Sequence, residues 1–356
     1  MRIKGALVFA MKRPIITVLL GILLAVTFCL TACIKQSNGP IPIKVLILPK
    51  FQVTDQADKI SGDFPGEGQY YFKKYMKDAD VYEIPGGHMG SEMYVKDGIA
   101  YYVLGEGKIN AALTTDAILE DERFDFSDAY ILSIGCAGSA RDTTVMGDVL
   151  LITAAIDYDA GHHADIREME NKKREVWFHD EALKEGRCIQ MDKKLTDKVY
   201  GMIKDVPIKT TTKTRQYMSR SFDGAKWAVR DPKVIRGTTV TGDNYWKGKH
   251  DHDNALLMVE TYGLPDPFVT TEMEDLAVAQ AVQRAGMLDR LIILRSSVNM
   301  DVFMNGNTPE SLWDPKNSKY DEDDRSNETA DIFPTAMKNN YKAGKVIIDA
   351  IIKGKF

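Results

Sequence analysis

Three carboxylates stand together between two apolar segments in the C-terminal third of the chain. Glu272, Glu274 and Asp275 lie between the strand-like "PFVTT" and the helix-like "LAVAQAV". Thr271-x-x-Glu274 fits a capping box, in which the Thr hydroxyl and the Glu carboxylate satisfy backbone N–H groups at a helix start. Acids in a first helical turn also complement the helix dipole. Neither role explains Met273 between two glutamates, so a functional role for Glu274 competes with a structural one.

Small residues follow another apolar run, "AYILSI", and predict a tight turn that can approach a ligand. Gly135, Gly138 and Ser139 belong to this segment. Successive backbone N–H groups in such a turn can hold an anion or a water molecule. An ordinary structural turn is the competing interpretation. The same two interpretations apply to "GEGKINAA" at 105–112, a glycine turn that leads into a helix.

Two further segments place polar or aromatic side chains after predicted strands. Tyr245 and Trp246 are adjacent in "VTGDNYW", and an aromatic face can stack on a planar base or a sugar, although packing is the commoner use. Asn299 and Asp301 end the segment "LRSSVNMD". Such groups can hydrogen-bond a heterocycle or act as a general acid, so both are candidate catalytic residues. For Asp301 a structural cap is the alternative.

The elements that position these residues are short apolar runs that alternate with helical patterns. Strands are predicted at 44–49, 129–135, 148–156, 233–242, 267–271 and 290–298, and helices at 108–119, 275–287 and 334–353. The alternation predicts an α/β fold: a three-layer single domain with a central mixed, largely parallel sheet flanked by helices. The segment 308–330 is predicted to be an exposed loop. Ligands of such sheets bind at the carboxyl ends of the strands, where the candidate residues lie.

The N-terminal segment predicts a signal peptide. Lys12 and Arg13 precede an apolar run that is shorter than the roughly 20 residues a membrane-spanning helix needs, and "LTAC" follows it. This segment resembles the bacterial lipoprotein box, with Cys33 as the lipid acceptor; an ordinary signal peptide is the alternative. We therefore predict a signal peptide at 1–32, a tether at 33–43 and one domain at 44–356. An extracytoplasmic, membrane-anchored lipoprotein follows, periplasmic or on the cell surface.

Charge and cysteine content exclude some classes of protein. The chain has 46 basic and 51 acidic residues and a formal charge of −5, and the predicted signal peptide removes bases but no acids. An acidic body argues against a nucleic-acid surface, which would carry a basic patch. Only Cys136 and Cys188 follow Cys33, so no disulfide framework is expected. No metal or cofactor is predicted.

The order of the motifs adds a family resemblance. The chain carries in sequence "LGEGKINAALTT", "SIGCAGSA", "GDVLL", "VTGDNYW", "TTEMED" and "LRSSVNMD". This series resembles the nucleoside phosphorylase superfamily, and within it the purine nucleoside permease family. Further shared segments are "FPGEGQYY" at 64–71 and "EDERFDFSDAYILSIGCAGSA" at 120–140. The resemblance runs from about Lys44 to the C-terminal helix and implies a nucleoside phosphorylase-like fold.

The resemblance also implies roles for individual residues. Met273 and Glu274 match the motif that embraces the ribose, with the Glu accepting hydrogen bonds from sugar hydroxyls. Tyr245 matches the aromatic residue that stacks on the base. Asn299 stands where enzymes acting on aminopurines carry an acid that protonates the leaving purine, which implies a 6-oxopurine preference. Asp301, two residues later, is either a displaced acid or a structural cap.

Departures from the superfamily pattern concern the reaction. Ser133 stands where hexameric phosphorylases carry an Arg, and "PKFQVTDQADK" replaces their first phosphate loop. Hydrolytic members place a water-activating Glu soon after the first strand. Thr54 and Asp55 lie near that place and Glu67 follows later, but none is a clean match.

Three functions are therefore compatible with the sequence. The first is purine nucleoside binding and uptake by a membrane lipoprotein, which would hand its ligand to a transporter partner because one N-terminal anchor cannot form a path through a bilayer. The second is an extracytoplasmic purine nucleoside phosphorylase or nucleosidase, with inorganic phosphate as a conceivable co-substrate. The third is a surface scaffold that only retains the fold. An oligomer is compatible with all three.

Overall fold

The apolar runs of the sequence form strands at the predicted places. The computed structural model describes residues 39–51, 66–163, 177–178, 186–221, 230–303, 305 and 322–356. The chain divides into a unit of residues 1–41 and a unit of residues 42–356, and the central sheet belongs to the second. The predicted signal peptide and Cys33 lie outside the described residues, as do Thr54 and Asp55.

The strands and helices of the described residues are short and alternate along most of the chain. The strands are β1 Ile41–Pro42, β2 Val45–Leu48, β3 Asp80–Tyr82, β4 Met93–Lys96, β5 Ile99–Tyr101, β6 Phe124–Asp125, β7 Tyr130–Ser139, β8 Val149–Asp157, β9 His162–His163, β10 Trp177–Phe178, β11 Cys188–Gln190, β12 Val234–Thr241, β13 Phe268–Glu272 and β14 Leu291–Met300. The helices are α1 Gln69–Tyr75, α2 Lys108–Leu119, α3 Lys193–Ile203, α4 Thr212–Ser221, α5 Lys249–Thr261, α6 Asp275–Arg284 and α7 Glu322–Ile352, with a 3-10 turn at Leu288–Arg290.

The central sheet is mixed and partly closed. Its strand order is β11-β8-β12-β13-β7-β2-β5-β4-β3, and β14 pairs with both β7 and β8. Strands β5, β2, β7 and β14 run parallel to one another, as do β8, β12 and β13. The two parallel sets meet antiparallel at β13–β7 and β14–β8. The predicted fold class, a mixed α/β domain with a central sheet, is confirmed.

Helices cover the sheet in two groups. Helix α6 contacts β8, β11, β12 and β14 and packs with α2, whereas α7 contacts β14, β7 and β8 and packs with α1, α3 and α4. Apolar side chains of the strands and of α7 form one core cluster, which includes Leu132, Ile134, Leu294, Ile347 and Ile348. Each such buried side chain contributes roughly 1.5–3 kcal/mol relative to exposure. Within the described residues, no helix combines the length and hydropathy needed to cross a membrane.

Three predictions about the elements are wrong. Strand β7 runs on through Ser139, so the predicted turn after "AYILSI" is strand. Its glycines serve close packing instead: a Cβ on Gly135 would lie 2.5 Å from Arg295 Nη1 and 2.8 Å from Glu67 Oε1. Helix α7 begins at Glu322, so residues 322–330 of the predicted loop at 308–330 are helical. The helix also passes through Pro334, where the pattern predicted a start. A proline suits a first helical turn, which explains the error.

Candidate functional site

A cavity of about 290 Å³ lies where several strands end, close to the lower end of the usual range for ligand pockets. Strand β13 meets only the carboxyl end of β7, with Thr271 opposite Gly138, so the ends of both strands border the cavity. The lining comes from seven segments and comprises Lys50, Phe51, Glu67, Glu106, Cys136, Ala137, Gly138, Tyr245, Thr271, Glu272, Met273, Glu274, Arg295, Val298 and Asn299. We call Glu67, Glu272 and Glu274 the carboxylate side, and Tyr245, Val298 and Asn299 the tyrosine side.

Glu274 lines this cavity with a carboxylate that is fixed at both oxygens. Its Oε1 accepts from the Gly107 N–H at 3.0 Å, and its Oε2 accepts from Arg295 Nη2 at 2.9 Å. The residue is 4% exposed and occupies the N-cap position of α6 without a capping hydrogen bond from its side chain. The capping-box alternative is therefore wrong, because strand β13 extends past Thr271 and leaves that residue outside the helix.

Glu272 takes the capping role instead. Its Oε2 accepts from the backbone N–H groups of Glu274 and Asp275, each at 2.7 Å. Its Oε1 accepts from the hydroxyls of Thr239, at 3.1 Å, and Thr241. Burial, followed by the charge of Asp275, raises the pKa of Glu272 to about 7. Glu272 thus joins β12, β13 and α6 below the cavity and sets the position of Glu274.

Arg295 links the acids of the site. Its guanidinium, 1% exposed, donates from Nη2 to Glu272 Oε2 at 2.8 Å and to Glu274 Oε2. The Nε and Nη2 groups also donate to the two oxygens of Asp275, both at 2.8 Å, and Nη1 donates to the Cys136 carbonyl at 2.8 Å. Sequence reasoning used Arg295 only as a reference for spacing and left Asp275 without a role. The pairing of the two comes from distant parts of the chain.

Glu67 is a second acid on the carboxylate side. Its Oε2 accepts from the N–H groups of Lys50 at 2.7 Å and Phe51 at 3.3 Å, and its Oε1 accepts from the Cys136 N–H at 2.7 Å. Burial raises the pKa of Glu67, although Arg295 and Lys50 act to lower it. Sequence analysis found no clean match for a water-activating Glu, because Glu67 lies many residues beyond β2. Its place inside the shared segment "FPGEGQYY" was the available signal.

Lys50 is a site residue that sequence analysis missed. Its Nζ donates to Ser133 Oγ at 2.6 Å and to the Ile134 carbonyl at 2.8 Å, and lies 3.5 Å from Asp275 Oδ1. Burial, and the nearby Arg295, lower the pKa of Lys50. The available signal was a lysine directly after a buried strand in "LILPK". Ser133, noted as a replacement for an Arg, thus lies against another cation.

The tyrosine side is open. Tyr245 is 66% exposed on the loop between β12 and α5, and Asn299 Nδ2 donates to its hydroxyl. A shift in the β14–β7 register between Ser297 and Asn299 marks a bulge. In a regular strand, neighbouring side chains point to opposite faces, and the bulge allows both Val298 and Asn299 to line the cavity. Trp246 stacks on Tyr158 instead, with ring centroids 5.1 Å apart.

Asp301 does not line the cavity. Its Oδ2 lies 2.5 Å from His252 Nδ1, and its Oδ1 accepts from the Arg141 N–H at 3.2 Å. Its own N–H donates to the Ser139 carbonyl at 3.0 Å. Burial acts to lower the pKa of His252, but Asp301 and Asp142 outweigh it and raise that pKa. This placement matches the structural alternative for Asp301 and not that of a catalytic acid.

Only one of the three residues predicted to hold an anion or a water lines the cavity. Gly138 lines the cavity, whereas Gly135 and Ser139 lie in β7 outside the lining. The other predicted residues meet: Met273, Glu274, Tyr245 and Asn299 all face one cavity. Among the described residues, no group of three or more His, Cys, Asp or Glu side chains is arranged to hold a metal ion.

Comparison with known proteins places this site in a family. The family model described as purine nucleoside permease (NUP) matches residues 42–355. The chain belongs to the purine nucleoside permease family. A probable purine nucleoside permease of Schizosaccharomyces pombe is 27% identical over 71% of this chain and 76% of its own length. A purine nucleoside permease of Candida albicans is 23% identical over 56% of this chain, and the match spans about half, 53%, of that protein.

Solved structures confirm the fold. A futalosine hydrolase mutant of Helicobacter pylori aligns with a TM-score of 0.51 at 16% identity, over 86% of this chain and 99% of that one. A 5′-methylthioadenosine/S-adenosylhomocysteine nucleosidase of the same organism aligns with a TM-score of 0.50 at 16% identity, with the same coverage. The two structures show the fold alone, and the family membership is confirmed by the family model.

Proposed function

We propose that the cavity binds a purine nucleoside, with Glu274 as the ribose-binding residue. The observation that carries the proposal is the position of the Glu274 carboxylate. Each of its oxygens accepts one hydrogen bond from the protein, from Gly107 or from Arg295, and each keeps a further lone pair. A carboxylate fixed in this way can accept hydrogen bonds from two adjacent sugar hydroxyls. Met273 lines the cavity beside it and would cover the apolar face of the sugar ring.

The base would lie against the tyrosine side. The Tyr245 ring lines the cavity and is exposed enough to stack on a purine without leaving the fold. Asn299 offers an amide N–H to a 6-oxo group and a carbonyl oxygen to a ring N–H. In the unliganded site the same amide donates to the Tyr245 hydroxyl, so a bound base would replace that contact. A 6-oxopurine nucleoside such as inosine is therefore the first ligand to test.

Calorimetry on the full-length protein in detergent tests this proposal. We expect inosine or guanosine to bind at micromolar or lower concentration, that is, at about −8 kcal/mol or better. Glu274→Gln should weaken binding at least 100-fold, because the neutral amide can no longer accept two hydroxyl protons. Glu120→Gln, on the exposed end of α2, is the matched control and should bind like the wild type. Unchanged binding by Glu274→Gln would refute the ribose role.

We also propose that this protein is anchored to the membrane and hands its nucleoside to a transporter. This part of the proposal rests on the sequence "LTAC" and on the physical requirement that a single anchor needs a transporter partner. We expect the wild-type protein to incorporate labelled palmitate. The Cys33→Ala variant should not incorporate the label and should be released from the membrane fraction. A cytoplasmic, unlabelled wild-type protein would refute this part and leave nucleoside binding untouched.

Cleavage of the N-glycosidic bond is the second candidate function, and Glu67 favours it. A buried acid with a raised pKa, which lines the same cavity as Glu274, is suited to accept a proton from an attacking water. Full-length protein would be incubated with inosine, with and without phosphate, and free hypoxanthine measured by chromatography. Cleavage without phosphate that is abolished in Glu67→Gln while inosine binding persists would establish a nucleosidase. No release under either condition would eliminate this candidate.

A further inference from the structure

We propose that the cavity accepts only uncharged nucleosides and excludes anionic ligands, nucleoside 5′-phosphates as well as inorganic phosphate, and that Glu106 is the specificity-determining residue at its mouth. The inference rests on the proposed nucleoside binding and adds the ligand class. Three observations carry it: the balance of charge in the lining, the state of its hydrogen-bond donors, and the position of Glu106.

Carboxyl groups outnumber cations in the lining of the cavity. Four carboxyl groups face the cavity, on Glu67, Glu106, Glu272 and Glu274, against the two cations of Lys50 and Arg295. Three of these acids are almost completely buried, and so are both cations. Charges in such surroundings are screened little by water or salt. Burial raises the pKa of Glu67 and of Glu272, so these two acids hold a proton more readily than free ones, but an entering anion still meets no excess of positive charge.

The two cations are already engaged by the protein. Arg295 directs Nε and both Nη groups to protein oxygens, among them carboxylates of Glu274 and Asp275. Lys50 Nζ donates to Ser133 Oγ and to the Ile134 carbonyl, with Asp275 close by. A phosphate would have to displace buried carboxylates from Arg295, and would leave those carboxylates uncompensated. Neither cation is therefore a ready anion site.

Three backbone N–H groups around the cavity are also engaged by carboxylates. The Cys136 N–H donates to Glu67, the Gly107 N–H donates to Glu274, and the N–H of Glu274 donates to Glu272. Helix N-termini commonly bind anionic ligands through such groups. Here the starts of α2 and α6 are neutralised by the protein's own carboxylates.

Glu106 adds an accessible charge at the mouth. It is exposed, it lines the cavity, and its carboxylate has no hydrogen bond or ion pair with any residue that the structure describes. Its neighbour Gly107 holds Glu274, so Glu106 stands beside the sugar position. A 5′-hydroxyl that points towards the mouth can donate a hydrogen bond to this carboxylate. A 5′-phosphate at the same place would meet a like charge, which costs binding free energy.

Competition binding on the full-length protein tests the inference. Inosine, inosine 5′-monophosphate and inorganic phosphate are the probes, and Glu106→Gln and Glu106→Lys are the variants. We expect wild-type protein to bind the monophosphate at least about 100-fold more weakly than inosine. Inorganic phosphate at millimolar concentration should not compete detectably with inosine. The ratio of the monophosphate affinity to the inosine affinity should rise about 10-fold in Glu106→Gln and about 100-fold in Glu106→Lys. The gain in Glu106→Lys should shrink at high salt.

The controls separate this inference from the proposed function. Glu120→Lys reverses a charge at the other end of α2 and should leave the ratio of the two affinities unchanged. Equal wild-type affinity for inosine and its monophosphate would overturn the inference but leave nucleoside binding intact. An equal change of both affinities in Glu106→Lys would overturn it as well. Failure of every purine nucleoside to bind wild-type protein would overturn the proposed function, and the inference with it.

Discussion

The carboxylate side and the tyrosine side of the cavity are built in opposite ways. Glu274 is 4% exposed and Glu272 6%, whereas Tyr245 is 66% exposed. The carboxylates are held by Arg295 and by backbone N–H groups from several segments, whereas the tyrosine lines the cavity from a loop and is mostly exposed. One side of the site is thus part of the folded core, and the other is attached to its surface.

This difference follows from the chemistry of the groups. Burying charge is costly unless every charge finds a partner, so carboxylates below a ligand must be integrated into the sheet and its helices. An aromatic ring that stacks on a base needs only a supported loop. Removal of a charge partner of the carboxylate side should therefore affect folding and binding together, and substitutions on the tyrosine side should affect binding alone.

The largest effect is expected from Arg295→Met. The substitution removes the common partner of Glu272, Glu274 and Asp275 and leaves buried carboxylates uncompensated, which typically costs about 3–5 kcal/mol of the free energy of unfolding. Urea denaturation measures it. Arg236→Met is the control, because Arg236 pairs with Asp197 at the surface and should contribute less than about 1 kcal/mol. Equal losses in both variants would contradict the proposed integration of the carboxylate side.

A second effect depends on pH and concerns Glu272. Its pKa in the folded protein, about 7, lies above its unfolded value of 4.5, so the folded state retains a proton between these values. Wild-type stability relative to Glu272→Gln should therefore fall as pH rises from 4.5 to 7, by about 3 kcal/mol at most. Gln preserves the acceptor towards Glu274 and Asp275 and can donate to the Thr hydroxyls. A pH-independent difference between the two proteins would show that Glu272 titrates normally.

Substitution of His252 tests whether a buried ion pair also stabilises the segment that carries Asn299. Asp301 follows Asn299 by two residues, its carboxylate pairs with the buried His252, and the Gly248 N–H donates to the Asp301 carbonyl at 2.8 Å. The raised pKa of His252 contributes stability that is complete below 6.5 and is lost as pH rises through the folded value. His252→Gln should cost about 2 kcal/mol at about pH 6 and less at about pH 9, by thermal or urea unfolding. A cost that grows with pH would contradict this assignment.

The smallest change in folding is expected from Tyr245→Leu, which should act on binding only. Loss of base stacking costs about 1–3 kcal/mol, or roughly 5- to 150-fold in nucleoside affinity. The free energy of unfolding should stay within about 0.5 kcal/mol of wild type, as for most exposed positions. Tyr245→Phe retains the ring and should bind nearly as well as wild type. Strong destabilisation by Tyr245→Leu would show that the tyrosine side contributes to folding as the carboxylate side does.

Local sequence patterns determined most of the elements and several of the site residues. The apolar runs predicted β2, β8, β12, β13 and β14 to within one or two residues at nearly every end, and the helical pattern at 108–119 matches α2. The motif order also indicated Met273, Glu274, Tyr245 and Asn299, which share one cavity. These features are local, because a strand or a strand-end motif is specified by residues close together in the chain.

Only the tertiary structure decided which charges are paired. Arg295 and Asp275 lie 20 residues apart, Lys50 and Ser133 83 apart, and Glu67 and Cys136 69 apart. No local pattern encodes such partners, since they meet through sheet pairing and helix packing. The same reason explains why the segment "TTEMED" suggested a capping box, whereas the fold gives the cap to Glu272 and leaves Glu274 facing the cavity.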